Sequence, residues 1–224
     1  GRELVRTGER PAPGEALRVP ESLYELLGGR LARLPTETGD AVLFAAALAR
    51  PTIELVTAAH GDRDGVLEAL DTATREGVLE LDDFRVRFAH PLLASICYGQ
   101  APPWKRRAIH GALAGVVADL EERARHLALA ADGPNDRIAS ELDIASGQAA
   151  ARGAPAAAAE LAELAARLTS EDPTEGRARR LQAARFHSLA GDDERAVILL
   201  GVPVLLATVW GATQAATQLL PNLV

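Results

Sequence analysis

The chain has 224 residues, of which 48% are hydrophobic and 25% charged, with a net charge of −7. That is enough apolar material to bury one or two cores. The acidic excess makes the chain a poor binder of phosphate backbones, and the single cysteine, Cys97, excludes an internal disulfide framework.

About a fifth of the residues are alanine and only 4% are aromatic, a mix that favours closely packed helices. Lys105 is the only lysine. The chain begins at Gly1 and contains no methionine, so it reads as a piece of a longer protein. Residues 1–19 alternate Arg and Glu around Pro11, Pro13 and Gly14, as a linker or the end of a preceding domain does. Leu23, Leu26, Leu27, Leu31 and Leu34 recur at helical spacing over 21–34, weakened by Gly28 and Gly29 and ended by Pro35. Thr36 is placed to cap a second helix running to about Ala49 through Val42, Leu43, Phe44 and Leu48. A third helix is expected over Thr52–His60. A fourth follows over Asp62–Glu76, with Val66, Leu67 and Leu70 inward and Gly77 at its end.

The period then changes from helical to alternating. Val78-Leu79-Glu80-Leu81 and Phe84-Arg85-Val86-Arg87-Phe88 flank Asp82-Asp83, the pattern of a short β-hairpin. Helices followed by such a hairpin describe a winged helix. His90-Pro91 opens another helix, because proline is favoured at the first helical position. Pro102-Pro103 opens the next, through Trp104, Ile109, Leu113, Val116 and Val117.

From there to Ala190 the pattern is helical throughout, with breaks near Asp119, Asp132-Gly133-Pro134, Arg152-Gly153-Ala154-Pro155 and Ser170-Glu171-Asp172-Pro173. Gly153 and Gly191 follow similar small-residue helix ends, about one tetratricopeptide repeat of ~34 residues apart. Residues 196–224 carry no charge. From Thr208 on they hold Thr208, Thr213, Gln214, Thr217 and Gln218, so a buried helix is expected there rather than a membrane span.

A phosphate loop, a nucleophile elbow and a helical zinc pair are all absent. His60, His90, His110, His126 and His187 are scattered along the chain. The pairs Asp82-Asp83, Glu121-Glu122 and Asp192-Asp193 fall at turns or helix starts, where carboxylates oppose the helix dipole. Cys97 sits in an apolar helical pattern and reads as a buried structural thiol, in keeping with a cytoplasmic protein. Two positions carry a functional reading beside a structural one. His90 reads as a helix cap, or as a sensor reaching toward a nucleotide phosphate. Arg106, Arg107 and His110, after Lys105, read as a solvated basic face, or as a docking face for an acidic partner.

Arg87-Phe88-Ala89-His90-Pro91-Leu92-Leu93-Ala94-Ser95 with Tyr98, Arg106-Arg107-Ala108-Ile109-His110, and Glu121-Glu122-Arg123-Ala124-Arg125-His126-Leu127-Ala128 form an ordered set. Arg18-Val19-Pro20-Glu21-Ser22-Leu23 and Arg30-Leu31-Ala32-Arg33-Leu34-Pro35 precede it. Arg152-Gly153-Ala154 with Ala159-Glu160-Leu161-Ala162-Glu163-Leu164-Ala165 continues it. Over about residues 1–195 this set resembles the large LuxR-family, MalT-like transcriptional regulators of the signal-transduction ATPase (STAND) type. The resemblance implies an ATPase domain, a winged helix, a helical-repeat sensor and a DNA-binding helix-turn-helix in the parent protein. It implies that ATP and an inducer shift a closed monomer to an active oligomer. It also implies that His90 matches a winged-helix histidine that contacts bound ADP. The chain departs from the family in lacking the nucleotide-binding motifs, the DNA-binding domain and the charged repeat pattern after Arg195.

The expected fold is therefore mostly α: a winged-helix domain with a short β-hairpin, followed by tetratricopeptide-like helical hairpins. Residues 1–19 would be a linker, 20–100 the winged helix, 101–195 the helical repeats and 196–224 a charge-free tail. The expected role is a regulatory segment coupling a nucleotide-binding domain to an effector or protein partner. It would have no catalytic residues, no metal and no cofactor of its own, with ATP or ADP implied for the parent family. It would not bind nucleic acid directly. The alternative is a stand-alone tetratricopeptide-like interaction module.

Overall fold

The computed structural model describes residues 21–170 and 173–201. They form eleven helices and one two-stranded antiparallel hairpin, and the fold is mostly helical. The predicted tail lies almost wholly outside the described residues, as does the linker. No described helix is long and apolar enough to cross a membrane.

Helix α1 (Glu21–Leu31) continues through Gly28 and Gly29 and ends one turn short of Pro35. Its buried stripe is Leu27, with Leu23 and Leu31 at its margins, whereas Leu26 is exposed. Helix α2 (Thr36–Ala47) starts differently from the expectation. Pro35 is the N-cap and Thr36 is already helical, so the threonine hydroxyl caps nothing. Helices α3 (Ile53–His60) and α4 (Arg63–Arg75) are each capped by a side chain. Thr52 accepts from the Leu55 N–H and Asp62 from the Gly65 N–H, both at 3.1 Å. Leu67 is exposed rather than inward, because the core-facing stripe of α4 is Val66, Ala69, Leu70 and Ala73.

Strands β1 (Leu79–Asp82) and β2 (Arg85–Phe88) pair in a register that sets Leu79 opposite Phe88 and Leu81 opposite Val86. The apolar residues thus share one face, and Glu80 and Asp82 oppose Arg87 and Arg85 on the other. Asp82 lies inside β1, so the turn is Asp83-Phe84, one residue later than the pattern suggested. Asp83 takes the positive φ of 53° that closes it. Thr52 bridges Arg85, and the Val86 N–H donates to the Pro51 carbonyl at 3.0 Å. The segment entering α3 therefore borders β2 as a minimal third strand.

Helices α5 (Pro91–Gln100) and α6 (Pro103–Ala114) close this half. Val42, Val56, Leu70, Val78, Leu79 and Val86 form its core, with Ile109 and Leu113 of α6 and Val117 just beyond it. The first core therefore extends past residue 100 and takes in α6. A small satellite of Leu27, Leu93 and Ile96 joins α1 to α5.

The second half is α7 (Leu120–Ala130), α8 (Asp136–Ala151), α9 (Pro155–Leu168), α10 (Pro173–Leu189) and α11 (Asp193–Leu199). Its core is largely alanine: Ala139, Ala145, Ala149, Ala158 and Ala165 are fully buried beside Leu142 and Leu161. Small side chains let α8, α9 and α10 approach closely, and the Ser146 hydroxyl donates across the contact to the Ala158 carbonyl at 2.8 Å. The two glycine turns share one backbone pattern. The Gly153 and Ala154 N–H groups donate to Ala150 and Ala149, as Gly191 and Asp192 donate to Ser188 and His187. Both glycines have positive φ, 79° and 83°, which terminates one helix and starts the next.

Charged pairs join each helix to the second one along. Arg125 of α7 grips Glu160 of α9 with two bonds of 2.9 and 3.0 Å. Arg179 of α10 reaches Asp143 of α8 at 2.9 Å, and Arg195 of α11 reaches Glu163 of α9. The partners lie 35, 36 and 32 residues apart.

Candidate functional site

His90 stands where β2 hands the chain to α5. It is the N-cap of that helix, and its Nδ1 accepts the Leu92 N–H at 3.2 Å, with Pro91 supplying the first helical residue. An accepting Nδ1 places the ring proton on Nε2. That Nε2–H has no partner among the described residues, and the ring is half-buried. The cap thus fixes both the tautomer and the ring plane, and leaves one N–H donor available to an acceptor outside these helices.

The basic face expected after Lys105 does not form. Lys105 pairs with Asp40, and Arg107 with Asp132. The Arg106 guanidinium lies over the Tyr98 ring at 5.4 Å. His110 turns inward and is only 3% exposed. The helical period explains this: His110 follows Ile109 on the stripe that also carries Leu113, so it belongs to the buried side of α6.

Sequence spacing missed what His110 meets. Its Nε2 lies 2.7 Å from the Tyr98 hydroxyl and its Nδ1 lies 2.8 Å from Nδ1 of His126, also 3% exposed. Two of the five histidines are therefore in contact, where the sequence placed them apart. His126 Nε2 is buried with no hydrogen-bond partner and is 3.9 Å from Glu122 Oε1. A bare nitrogen lone pair directed at a carboxylate would be repelled, so Nε2 carries the proton. The remaining roles follow: His110 Nδ1–H donates to His126 Nδ1, and the Tyr98 hydroxyl donates to His110 Nε2. Glu122 Oε1 also accepts the Ala49 N–H at 3.0 Å. The chain of polar groups thus runs from α5 through α6 and α7 to the end of α2, across the junction of the two halves.

Burial pushes His110 down to about 4, with His126 and Arg106 adding to the effect. Burial also lowers His126, against the opposing pull of Glu122. Both rings are therefore neutral at pH 7.

The other singled-out residues have structural partners. His60 packs edge-on against Phe44. His187 sits between Asp192 and Glu163, 3.1 Å from each. Glu121 takes Arg152, Asp82 takes Arg87, and Asp192 caps α11. Cys97 is half-buried against the first core and burial raises its thiol to about 11, which makes it a poor nucleophile. Among the described residues no three His, Cys, Asp or Glu side chains gather as a metal site.

No family model, no curated protein and no solved structure matches the chain.

Proposed function

We propose that this chain is a regulatory segment of an ATP-dependent transcriptional regulator of the LuxR, STAND type. In this reading residues 20–100 act as a winged helix that latches a preceding ATPase domain, and the helices after it receive an effector or protein partner. The observation that carries the reading is His90. It caps α5 at the end of the hairpin, with its tautomer fixed so that a free Nε2–H can donate to a phosphate oxygen. The order α3, α4, hairpin, with the Thr52–Arg85 bridge beside β2, supports the winged-helix part. Switching is then a population shift between latched and open forms, driven by differential affinity of ADP and ATP for the two. The chemistry of ATP hydrolysis and the DNA contacts belong to the parent protein.

A second reading is a tetratricopeptide-like interaction module without a nucleotide link. It is favoured by the ion pairs of Arg125, Arg179 and Arg195, which tie helices two apart at a nearly constant interval. The neighbouring reading frame separates the two. An in-frame phosphate-loop coding region upstream is the result expected for the regulator. A start codon immediately before Gly1 would leave the interaction module.

A further inference from the structure

An open groove of about 450 Å³ runs between the start of α6, the end of α7 and the end of α9. Arg106, Arg107 and Arg167 line it, with Tyr98, Leu129 and Asp132. Arg107 is neutralised by Asp132, whereas Arg106 and Arg167 have no carboxylate partner among the described residues. Arg106 is held in place by the Tyr98 ring beneath it, and that ring is anchored by its hydroxyl to His110. The groove therefore presents two uncommitted guanidiniums on a fixed, mostly apolar floor, in a chain whose net charge is −7.

We propose that this groove binds an acidic peptide segment, with carboxylates on Arg106 and Arg167 and an apolar side chain between them against Leu129. Guanidinium planes suit paired bonds to carboxylate oxygens. The groove is too open to enclose a small molecule, which ordinarily has most of its surface covered. Double-stranded nucleic acid needs a long run of cations, and the chain's acidic balance opposes it. The proposal rests on the reading of the helices after residue 100 as a partner-receiving surface, and names the partner's chemistry. It requires no nucleotide, so its failure leaves the role of His90 standing.

The test is calorimetric titration of the full 224-residue chain at low salt. The probes are the capped peptide Glu-Glu-Leu-Glu-Glu-Leu and its counterpart with Gln in place of Glu. The acidic peptide binds, its affinity falls as salt is raised, and the Gln peptide is weaker by about tenfold or more. The variant R106Q/R167Q loses about tenfold in affinity, and R167Q alone loses a smaller share. Arg167 is exposed, so R167Q keeps the test valid if R106Q disturbs Tyr98. Arg177→Gln, outside the groove, binds as the parent chain does. No binding of the acidic peptide at low salt, or equal binding by both peptides or by the double variant, overturns the proposal.

Discussion

Nδ1 of His110 and Nδ1 of His126 are 2.8 Å apart at the junction of the two halves of the molecule, and only one proton fits between them. Protonating His126 at Nδ1 would set two N–H donors against each other, and protonating His110 at Nε2 would set an N–H against the Tyr98 hydroxyl that donates to it, both in a buried site. The folded state therefore keeps both rings neutral, while an unfolded histidine takes up its proton near the ordinary value of about 6.5.

The pH dependence follows from the sign of that shift. The folded-state value of His110, about 4, is below the unfolded one. As pH falls through about 6.5 the unfolded chain gains protons that the folded chain cannot, and stability drops until about pH 4. The loss from His110 is on the order of 3 kcal/mol. Urea unfolding should show the midpoint falling between pH 7 and pH 5, above the range where ordinary carboxylates titrate. The double variant His110→Gln/His126→Gln should flatten that slope. An equal slope in the variant would show that the pair is not its source.

Tyr98 completes the chain by donating to His110 Nε2 at 2.7 Å. Tyr98→Phe leaves that buried nitrogen without a partner and should cost about 1–3 kcal/mol at pH 7. Denaturant midpoints of the two proteins check this, and a change below a few tenths of a kcal/mol would reject the bond's role.

Two glycine substitutions of opposite sign probe the helical hairpins. Gly153 has φ of 79° at the turn between α8 and α9, so Gly153→Ala should destabilise by about 1–2 kcal/mol. Gly147 lies exposed within α8 with open space at its Cβ, so Gly147→Ala should stabilise by about 0.5–1 kcal/mol. Thermal unfolding should separate the two in opposite directions from the parent chain.

Glu163 holds α11 to α9 through Arg195 and also accepts from His187 of α10. Those contacts, the Arg195 bond first, hold its carboxyl below the usual range. Glu163→Gln should loosen α11, raising amide exchange in Asp193–Leu199 while α8 stays protected. Unchanged exchange in α11 would show that apolar packing alone secures it.

The parts that were legible in the sequence are those set locally. Thr52 and Asp62 announce their helices because a cap and its partner lie three residues apart. The hairpin is visible in the alternation of Leu79, Leu81, Val86 and Phe88, although its turn is displaced by one residue because Asp83 rather than Asp82 accepts the positive φ. The outward turn of Leu26 and Leu67 was not legible, since which side of a wide apolar stripe is covered depends on the neighbouring helices. The His110–His126 contact was hidden for a similar reason. It depends on how α6 lies against α7, and their separation in sequence carries no helical period. His90 falls between these cases: its position after the hairpin is readable, whereas its fixed tautomer needed the Leu92 contact.

The proposed sensing of a bound nucleotide by the Nε2–H of His90 is tested most directly by His90→Asn. Asparagine retains a good helix cap for α5 but removes the ring N–H. The measurement is ADP affinity of the protein in which this segment follows that domain. ADP affinity should fall by about tenfold or more, the value of one hydrogen bond to a charged oxygen, with raised basal activity. Unchanged ADP affinity and unchanged basal activity in His90→Asn would contradict it.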